Sequence, residues 1–401
     1  TTEIFTTRYK VAKANLPAGT YRNVVGNYAL SLGLAAAAER SKLGLFYGGY
    51  PITPASDILH TLSAWKHLGI KTFQAEDEIA GITSILGAAF TGDLGITATS
   101  GPGIALKGEA MGLAVMAELP IVIINVQRGG PSTGLPTKTE QSDLMQAMYG
   151  RNGEAPIPVL ASSTPGDCFF AAYEACRIAV KYMTPVILLT DGYLANGSEP
   201  WQVPKVDDLP DFDVSFADES NLADGQFLSY SRDKKTLARP WAIPGTPGLE
   251  HRIGGIETED LTGNVSYDPD NHEYMVKTRA EKVEAITNEI GPSEIFGNKS
   301  GEVLILSWGG TKGACRSATE ALKAGGKKVS HLHLRWINPL PKDLGEKLIK
   351  FNHILIPEIN YGQLIKIIRA EFLVDAKGLN QVRGKPISSS DIQDAVTKLI
   401  G

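Results

Sequence analysis

The chain has 401 residues, 43% of them hydrophobic and 21% charged, with a formal net charge of -5. That length gives room for two or three domains with buried cores, and a mildly acidic chain without a basic tract speaks against nucleic acid as a partner. No apolar run reaches the length of a membrane span and no charged-then-apolar leader is visible, so a soluble cytoplasmic protein is expected. The chain opens Thr-Thr-Glu, without methionine, as a processed product or a piece of something longer would. Its three cysteines, Cys168, Cys176 and Cys315, form no CxxC pair, so neither a zinc site nor an iron–sulfur cluster can be built from this chain alone. The eight-residue step from Cys168 to Cys176 suits one face of a helix and suggests core thiols.

Residues 1–25 are polar and read as a linker. From Gly26 an Ala/Leu helix begins, and short apolar runs then alternate with helical stretches. The runs are "LGLFYGG" (43–49), "GITATS" (95–100), "PIVIINVQ" (120–127) and "TPVILLTDG" (184–192); helices are expected over 76–90, 104–118 and 165–182. Continuous rather than alternating apolar strands indicate a parallel sheet covered on both faces, hence a doubly wound α/β unit over 26–200. Residues 201–295 are rich in proline and acid and read as an extended connecting segment with a helix over 274–290. Residues 296–401 repeat the α/β pattern: "EVLILSWG", then "GACRSATEALKAGG", "KVSHLHLR" and "HILIPE". Gly325-Gly326 stands where a left-handed helix cap is expected.

In an open parallel sheet ligands bind beyond the carboxyl ends of the strands. The first exit here is "YGGYPITPASDI", residues 47–58. Proline fixes φ and pushes its predecessor into extended backbone, so Thr53 sits on a stiff turn; a plain strand-to-helix turn with Pro54 near the first helical turn is the structural alternative. The second exit, "TSGPGIALKGE", is glycine-rich and carries Lys107. The third, "QRGGPSTGLPTKTEQSD", carries Arg128, Ser132, Thr133 and Thr137. Arginine presents a fixed fork of donors that matches a carboxylate. Alone, Arg128 reads as a surface ion pair and Lys107 as a solvated helix residue; together with Thr53 and Thr137 at neighbouring exits they suit a small, oxygen-rich anion.

"FQAEDEIAGI" puts Glu76, Asp77 and Glu78 at a helix start, where the dipole favours acids. Glu78 precedes an apolar face, and a carboxylate held in a dry site is a general acid/base candidate. His331 and His333 in "HLHLR" share a strand face; without a third ligand a structural role is favoured over a metal pair. His251, Arg252 and His272 carry no chemistry legible from spacing. No P-loop or HExxH occurs, and no GxGxxG follows a strand, which argues against a nicotinamide-binding domain.

The strings "YPITPASD", "FQAEDEIAGI", "TSGPG", "QRGGPSTGLPTKTEQSDL", "YGRNGE", "TPVILLTDGYLANGSEPW", "HRIGG", "NHEYM", "LHLRWINPLP" and "PEINYGQL" together resemble the alpha subunits of thiamine-diphosphate-dependent 2-oxoacid:ferredoxin oxidoreductases, above all the 2-oxoglutarate members. The resemblance covers nearly the whole chain. It implies two doubly wound transketolase-like α/β domains, the first facing the pyrimidine end of thiamine diphosphate. It implies a separate beta subunit holding the pyrophosphate, Mg2+ and a [4Fe-4S] cluster, none ligated by this chain, in a dimer of alpha–beta units. Relatives often carry a gamma domain fused ahead of this region; this sequence starts in what looks like the linker after it, so that domain is expected to be either a separate stretch or missing. By position, Glu78 would hold the pyrimidine N1′, with Pro51, Ile52 and Gly101 also against the cofactor. Thr53 and Arg128 would hold the 2-oxo carboxylate, Thr137 the substrate region, and Lys107 the distal carboxylate of a diacid. The implied reaction is reversible oxidative decarboxylation of 2-oxoglutarate with coenzyme A to succinyl-CoA, with electrons passing to ferredoxin. The same chemistry on pyruvate or a branched-chain 2-oxoacid, a non-catalytic scaffold subunit, and a dicarboxylate-binding protein remain the alternatives.

Overall fold

The computed structural model describes residues 13–401; residues 1–12 of the expected linker lie outside the described residues. The rest of that linker is not all irregular. Tyr21–Val25 is a strand, paired antiparallel with Ser198–Gln202, and this ribbon ties the start of the first α/β unit to its end.

The first unit is built on a seven-stranded sheet. From edge to edge it runs Trp336–Asn338, Val159–Ala161, Val186–Asp191, Ile121–Gln127, Leu94–Thr99, Leu45–Gly49 and Lys71–Gln74. All neighbours are parallel except Trp336–Asn338, which joins antiparallel. The strands Leu94–Thr99, Ile121–Gln127 and Val186–Asp191 are buried at every position, as unbroken apolar runs covered on both faces must be. On one face Gly26–Ser41 packs along Asp167–Tyr182, and the approach is close: a Cβ on Gly33 would stand 2.2 Å from the Phe169 carbonyl. Cys168 and Cys176 lie buried on that second helix and Cys315 is buried in the second unit.

The second unit has a five-stranded sheet in the order Ile295–Phe296, Val329–Leu334, Gly301–Trp308, Phe351–Glu358 and Ala376–Asn380, parallel except at the Ile295–Phe296 edge. Its helix Lys312–Ala324 ends on Gly325, and the left-handed turn falls on Gly326, at φ +81°. Trp336–Asn338 leaves this unit to extend the first sheet, so the two units share a strand as well as a surface. Among the described residues no helix is long and apolar enough to cross a membrane.

Two expected helices differ from the structure. The stretch 104–118 is two helices, Gly101–Leu106 and Gly108–Ala117, broken at Lys107. The helix expected over 274–290 is Pro269–Ala285, begun by Asp268, whose carboxylate accepts from Asn271 N–H, and by Pro269 in the first turn. It caps a connecting segment held down by specific polar contacts. Trp241 Nε1 donates to the Ala89 carbonyl at 3.0 Å and Arg239 Nε to the Ala117 carbonyl at 2.9 Å; both carbonyls lie in the last turn of a helix, where i+4 donors run out.

The same segment delivers Arg232 and Lys282 to Glu118, which is only 2% exposed. Burial alone would raise the Glu118 carboxyl; the two cations overturn it and hold it at about 2. Removing the one anion would leave two cations uncompensated. Glu118→Gln is therefore expected to lower unfolding stability by about 3–5 kcal/mol. Lys282→Met, which leaves Arg232 on the carboxylate, should cost clearly less, as read from denaturant midpoints.

Candidate active site

The strands Leu45–Gly49, Leu94–Thr99 and Ile121–Gln127 are neighbours, so their three exits open side by side. Leu45–Gly49 leads away to the edge strand Lys71–Gln74, while Leu94–Thr99 leads the opposite way to Ile121–Gln127. The crevice between the first two is thus a topological switch point, where such sheets take ligands.

The first exit is fastened at three consecutive carbonyls. Ile52 O accepts from Ala55 N–H at 2.8 Å and Ser56 N–H at 3.0 Å; Thr53 O accepts from Arg128 Nη1 at 2.7 Å; Pro54 O accepts from Asn27 Nδ2 at 2.8 Å. The Thr53–Pro54 bond is cis. With its carbonyl held from beneath, Thr53 is exposed, and it faces Thr137, Ser56, Asp57 and Asn196 across a cavity of about 390 Å3. The structure thus brings Thr53, Arg128 and Thr137 together. Arg128 is 6% exposed, and its Nε is buried without a protein partner. Pro51 is exposed and Ile52 half-buried on the same turn.

Glu78 opens the helix Glu78–Phe90. Asp77 is its N-cap, accepting from Ala80 N–H at 2.7 Å, while Glu76 stays exposed. The acid run therefore divides: one residue caps, one is solvated, and Glu78 turns inward to 9% exposure. Its carboxylate takes no hydrogen bond among the described residues. Gly103, in the first turn of Gly101–Leu106, faces it, and a Cβ there would lie 2.9 Å from Glu78 Cγ and 1.9 Å from Thr99 Oγ1. Only glycine leaves that wall of the crevice open.

Lys107 requires a correction. It is fully buried, and Nζ donates to the Glu78 backbone carbonyl at 2.7 Å. An ammonium spent beneath the first turn of the Glu78 helix does not reach a distal substrate carboxylate. Burial lowers it to about 8 against the opposing charges of Glu78 and Asp77, so it is still a cation at neutral pH. Its place is that of a peg under Glu78.

Sequence reasoning missed Asp143. Its Oδ2 accepts from Asn125 Nδ2 at 3.0 Å and its N–H donates to Gln127 Oε1 at 3.2 Å. It crowds Gly101, where a Cβ would stand 2.8 Å from both carboxylate oxygens. The available signal was Asn125 and Gln127, two amides inside an otherwise apolar strand. Burial raises the Asp143 carboxyl to about 6; the Asn125 bond and the Arg128 charge oppose this and Glu140 adds to it. His331 and His333 share Ser307 Oγ at 2.7 and 2.8 Å. Burial pushes His331 down to about 3 and His333 well below its usual value, so both are neutral structural groups. Among the described residues no cluster of three or more His, Cys, Asp and Glu could hold a metal ion.

A carboxyl held above its ordinary range favours the folded state at low pH. That contribution is complete below pH ~4 and fades as pH rises through about 6. The stability of Asp143→Asn relative to the unsubstituted protein should therefore climb between pH ~4 and ~7, measured by denaturation across that range; a pH-independent difference would show that Asp143 titrates normally.

Residues 40–267 match the family described as "Pyruvate flavodoxin/ferredoxin oxidoreductase, thiamine diP-bdg". The chain is 51% identical over 393 residues to the 2-oxoglutarate oxidoreductase subunit KorA of Mycobacterium tuberculosis, covering 98% of this chain and 59% of that protein. It is 33% identical over 337 residues to the 2-oxoglutarate synthase subunit KorA of Archaeoglobus fulgidus, covering 84% of this chain and 88% of that one. It superposes with a TM-score of 0.92 on a 2-oxoglutarate:ferredoxin oxidoreductase from Magnetococcus marinus, solved with 2-oxoglutarate, coenzyme A and succinyl-CoA bound; the identity is 34%, over 100% of this chain and 69% of that one. A split-gene transketolase at 11% identity and a TM-score of 0.53 shares the fold. The chain spans about three-fifths of the Mycobacterium relative and 62% of a 2-oxoacid:ferredoxin oxidoreductase alpha subunit from Aeropyrum pernix. On this match of sequence and fold, the chain belongs to the thiamine-diphosphate-binding 2-oxoacid:ferredoxin oxidoreductase family and corresponds to its alpha subunits.

Proposed function

We propose that this chain is the alpha half of an enzyme that oxidatively decarboxylates 2-oxoglutarate with coenzyme A, yielding succinyl-CoA, CO2 and electrons for ferredoxin. The observation that carries the reading is Glu78: an inward carboxylate, 9% exposed and unpartnered among the described residues, at the switch-point crevice. That donor set fits the pyrimidine end of thiamine diphosphate, because a carboxylate without a protein partner can hold a protonated ring nitrogen and Gly103 leaves room beside it. Bound there, the cofactor supplies the electron sink for the carbon left by decarboxylation. Glu78 holds the proton at the ring nitrogen, and Lys107 keeps Glu78 at the height of the crevice. Arg128 keeps Nη1 on the Thr53 carbonyl, which leaves its orphaned Nε edge for the 2-oxo carboxylate. The Thr53 and Thr137 hydroxyls line the mouth.

The pyrophosphate, Mg2+ and a [4Fe-4S] cluster are assigned to a beta subunit, in a dimer of alpha–beta units, as the resemblance to the family implies. A second reading keeps the chemistry and changes the substrate to pyruvate or a branched-chain 2-oxoacid. It gains support from Lys107: with Nζ held on the Glu78 carbonyl, the cation expected for a distal carboxylate is withdrawn from the substrate. The preference for 2-oxoglutarate then rests on the names of the relatives.

The test is viologen reduction by the complex co-purified with its beta subunit, supplied with thiamine diphosphate, Mg2+ and coenzyme A, on 2-oxoglutarate, pyruvate and 2-oxoisovalerate in parallel. The expected result is preference for 2-oxoglutarate; preference for a monocarboxylate establishes the second reading, and no turnover on any of the three restores the scaffold alternative. Glu78→Gln should abolish turnover in an intact complex. Lys107→Met should lower kcat about tenfold or more with little change in KM, because it displaces the proton-handling group and not the substrate.

A further inference from the structure

The second α/β unit has a switch point of its own. Gly301–Trp308 is followed by Val329–Leu334 on one side, and the chain then crosses to Phe351–Glu358 on the other. The crevice therefore lies between Trp308 and Glu358, where an independent domain of this class would take a ligand. What stands there is Gln141 of the first unit, fully buried.

Every polar part of Gln141 is engaged. Its N–H donates to the Ile359 carbonyl at 3.1 Å and its Oε1 accepts from Ile359 N–H at 3.2 Å. Its Nε2 donates to the Trp308 carbonyl at 2.8 Å, and its own carbonyl accepts from Asn360 Nδ2 at 2.8 Å. The crevice is shaped for it. Gly309, at φ +57°, passes so close that a Cβ would lie 2.5 Å from Gln141 Nε2. Glu358 lies beneath, accepting from Trp308 Nε1, Asn360 Nδ2 and the Leu364 and Ile365 N–H groups at 2.8–3.3 Å. Asn360 Oδ1 accepts from Gly362 and Gln363 N–H at 2.7 and 3.0 Å. Gln363 then grips the next turn of the same loop, through Ser142 O at 2.6 Å and Met145 N–H at 2.9 Å.

We infer that the second unit has given its ligand crevice to Gln141, and that its role in this protein is to fix the loop running from Arg128 to Asp143. Gln141 is thus a positioning residue for the substrate site, acting through Arg128, Thr137 and Asp143. The inference rests on the function proposed above for that site. A buried residue bound at four points, two by its side chain and two by its backbone, sets the loop's register from its far end, while Arg128 sets it from the near end on Thr53.

The test uses the complex with its beta subunit and three variants: Gln141→Glu, which keeps size and Oε1 but loses the donor to Trp308 O; Gln141→Leu; and Asn360→Ala, which acts wholly from the second unit. We expect KM for the preferred 2-oxoacid to rise about tenfold or more in Gln141→Leu and Asn360→Ala, with a smaller rise in Gln141→Glu. Combining Gln141→Leu with Asn360→Ala should be less than additive, since both changes free one loop. Amide exchange across 128–143 should rise in all three while the strand Ile121–Gln127 stays protected. An unchanged KM with unchanged exchange in Asn360→Ala overturns the inference, as does a fall in melting temperature alone. Absence of turnover in the unsubstituted complex would instead remove the proposed function; the exchange measurement then still decides whether the second unit holds the loop.

Discussion

A parallel sheet delivers all its strands to one edge, and this molecule depends on that constraint. Three neighbouring strands end within reach of one another, so residues more than seventy positions apart in sequence become one surface. Arg128 reaches the Thr53 carbonyl because the exits of Leu45–Gly49 and Ile121–Gln127 flank the same central strand. What remains for the loops is to hold still. The turn at 52–54 does so by spending every carbonyl on a donor, which leaves the threonine hydroxyl free.

Two buried charges illustrate different solutions to desolvation. Glu118 is surrounded by Lys282 and Arg232, and the pairing more than reverses the effect of burial. Its work is structural: it fastens the connecting segment to the end of the Gly108–Ala117 helix. Lys107 has no carboxylate in contact, donates to a backbone carbonyl, and loses part of its hold on its proton. A lysine so placed is an inefficient way to stabilise a fold. It is an effective way to hold the first turn of a helix whose opening side chain is Glu78.

The second unit contributes no side chain that lines the Thr53–Thr137 cavity. It contributes rigidity. Its sheet lends Trp336–Asn338 to the first sheet, and its switch-point crevice encloses Gln141. Each link joins a well-packed core to a segment that would otherwise be a long surface loop, and such loops sit at the low end of local stability. Shape is transmitted here by filling a crevice, without a ligand.

The sequence by itself determined the α/β class, because unbroken β-branched runs between helical stretches are compatible with little else. It placed Thr53, Gly101 and Arg128 at strand exits, since stiff Pro and flexible Gly punctuate those exits visibly. It separated Glu78 from Glu76 and Asp77 by the apolar residues that follow. Side-chain direction was not legible. Lys107 reads as solvated or substrate-facing on a helix, and only the break between two short helices turns it beneath Glu78. Asp143 and Gln141 look like ordinary polar residues of a loop; their burial is conferred by Asn125, Gln127, Trp308, Ile359 and Asn360, which are distant in the chain. The strand Trp336–Asn338 is too short to announce itself and exists because the edge at Val159–Ala161 is open to pair. Periodicity and punctuation are local, so they specify elements and their ends. Which polar group meets which partner depends on contacts across the chain, and the tertiary structure decided that alone.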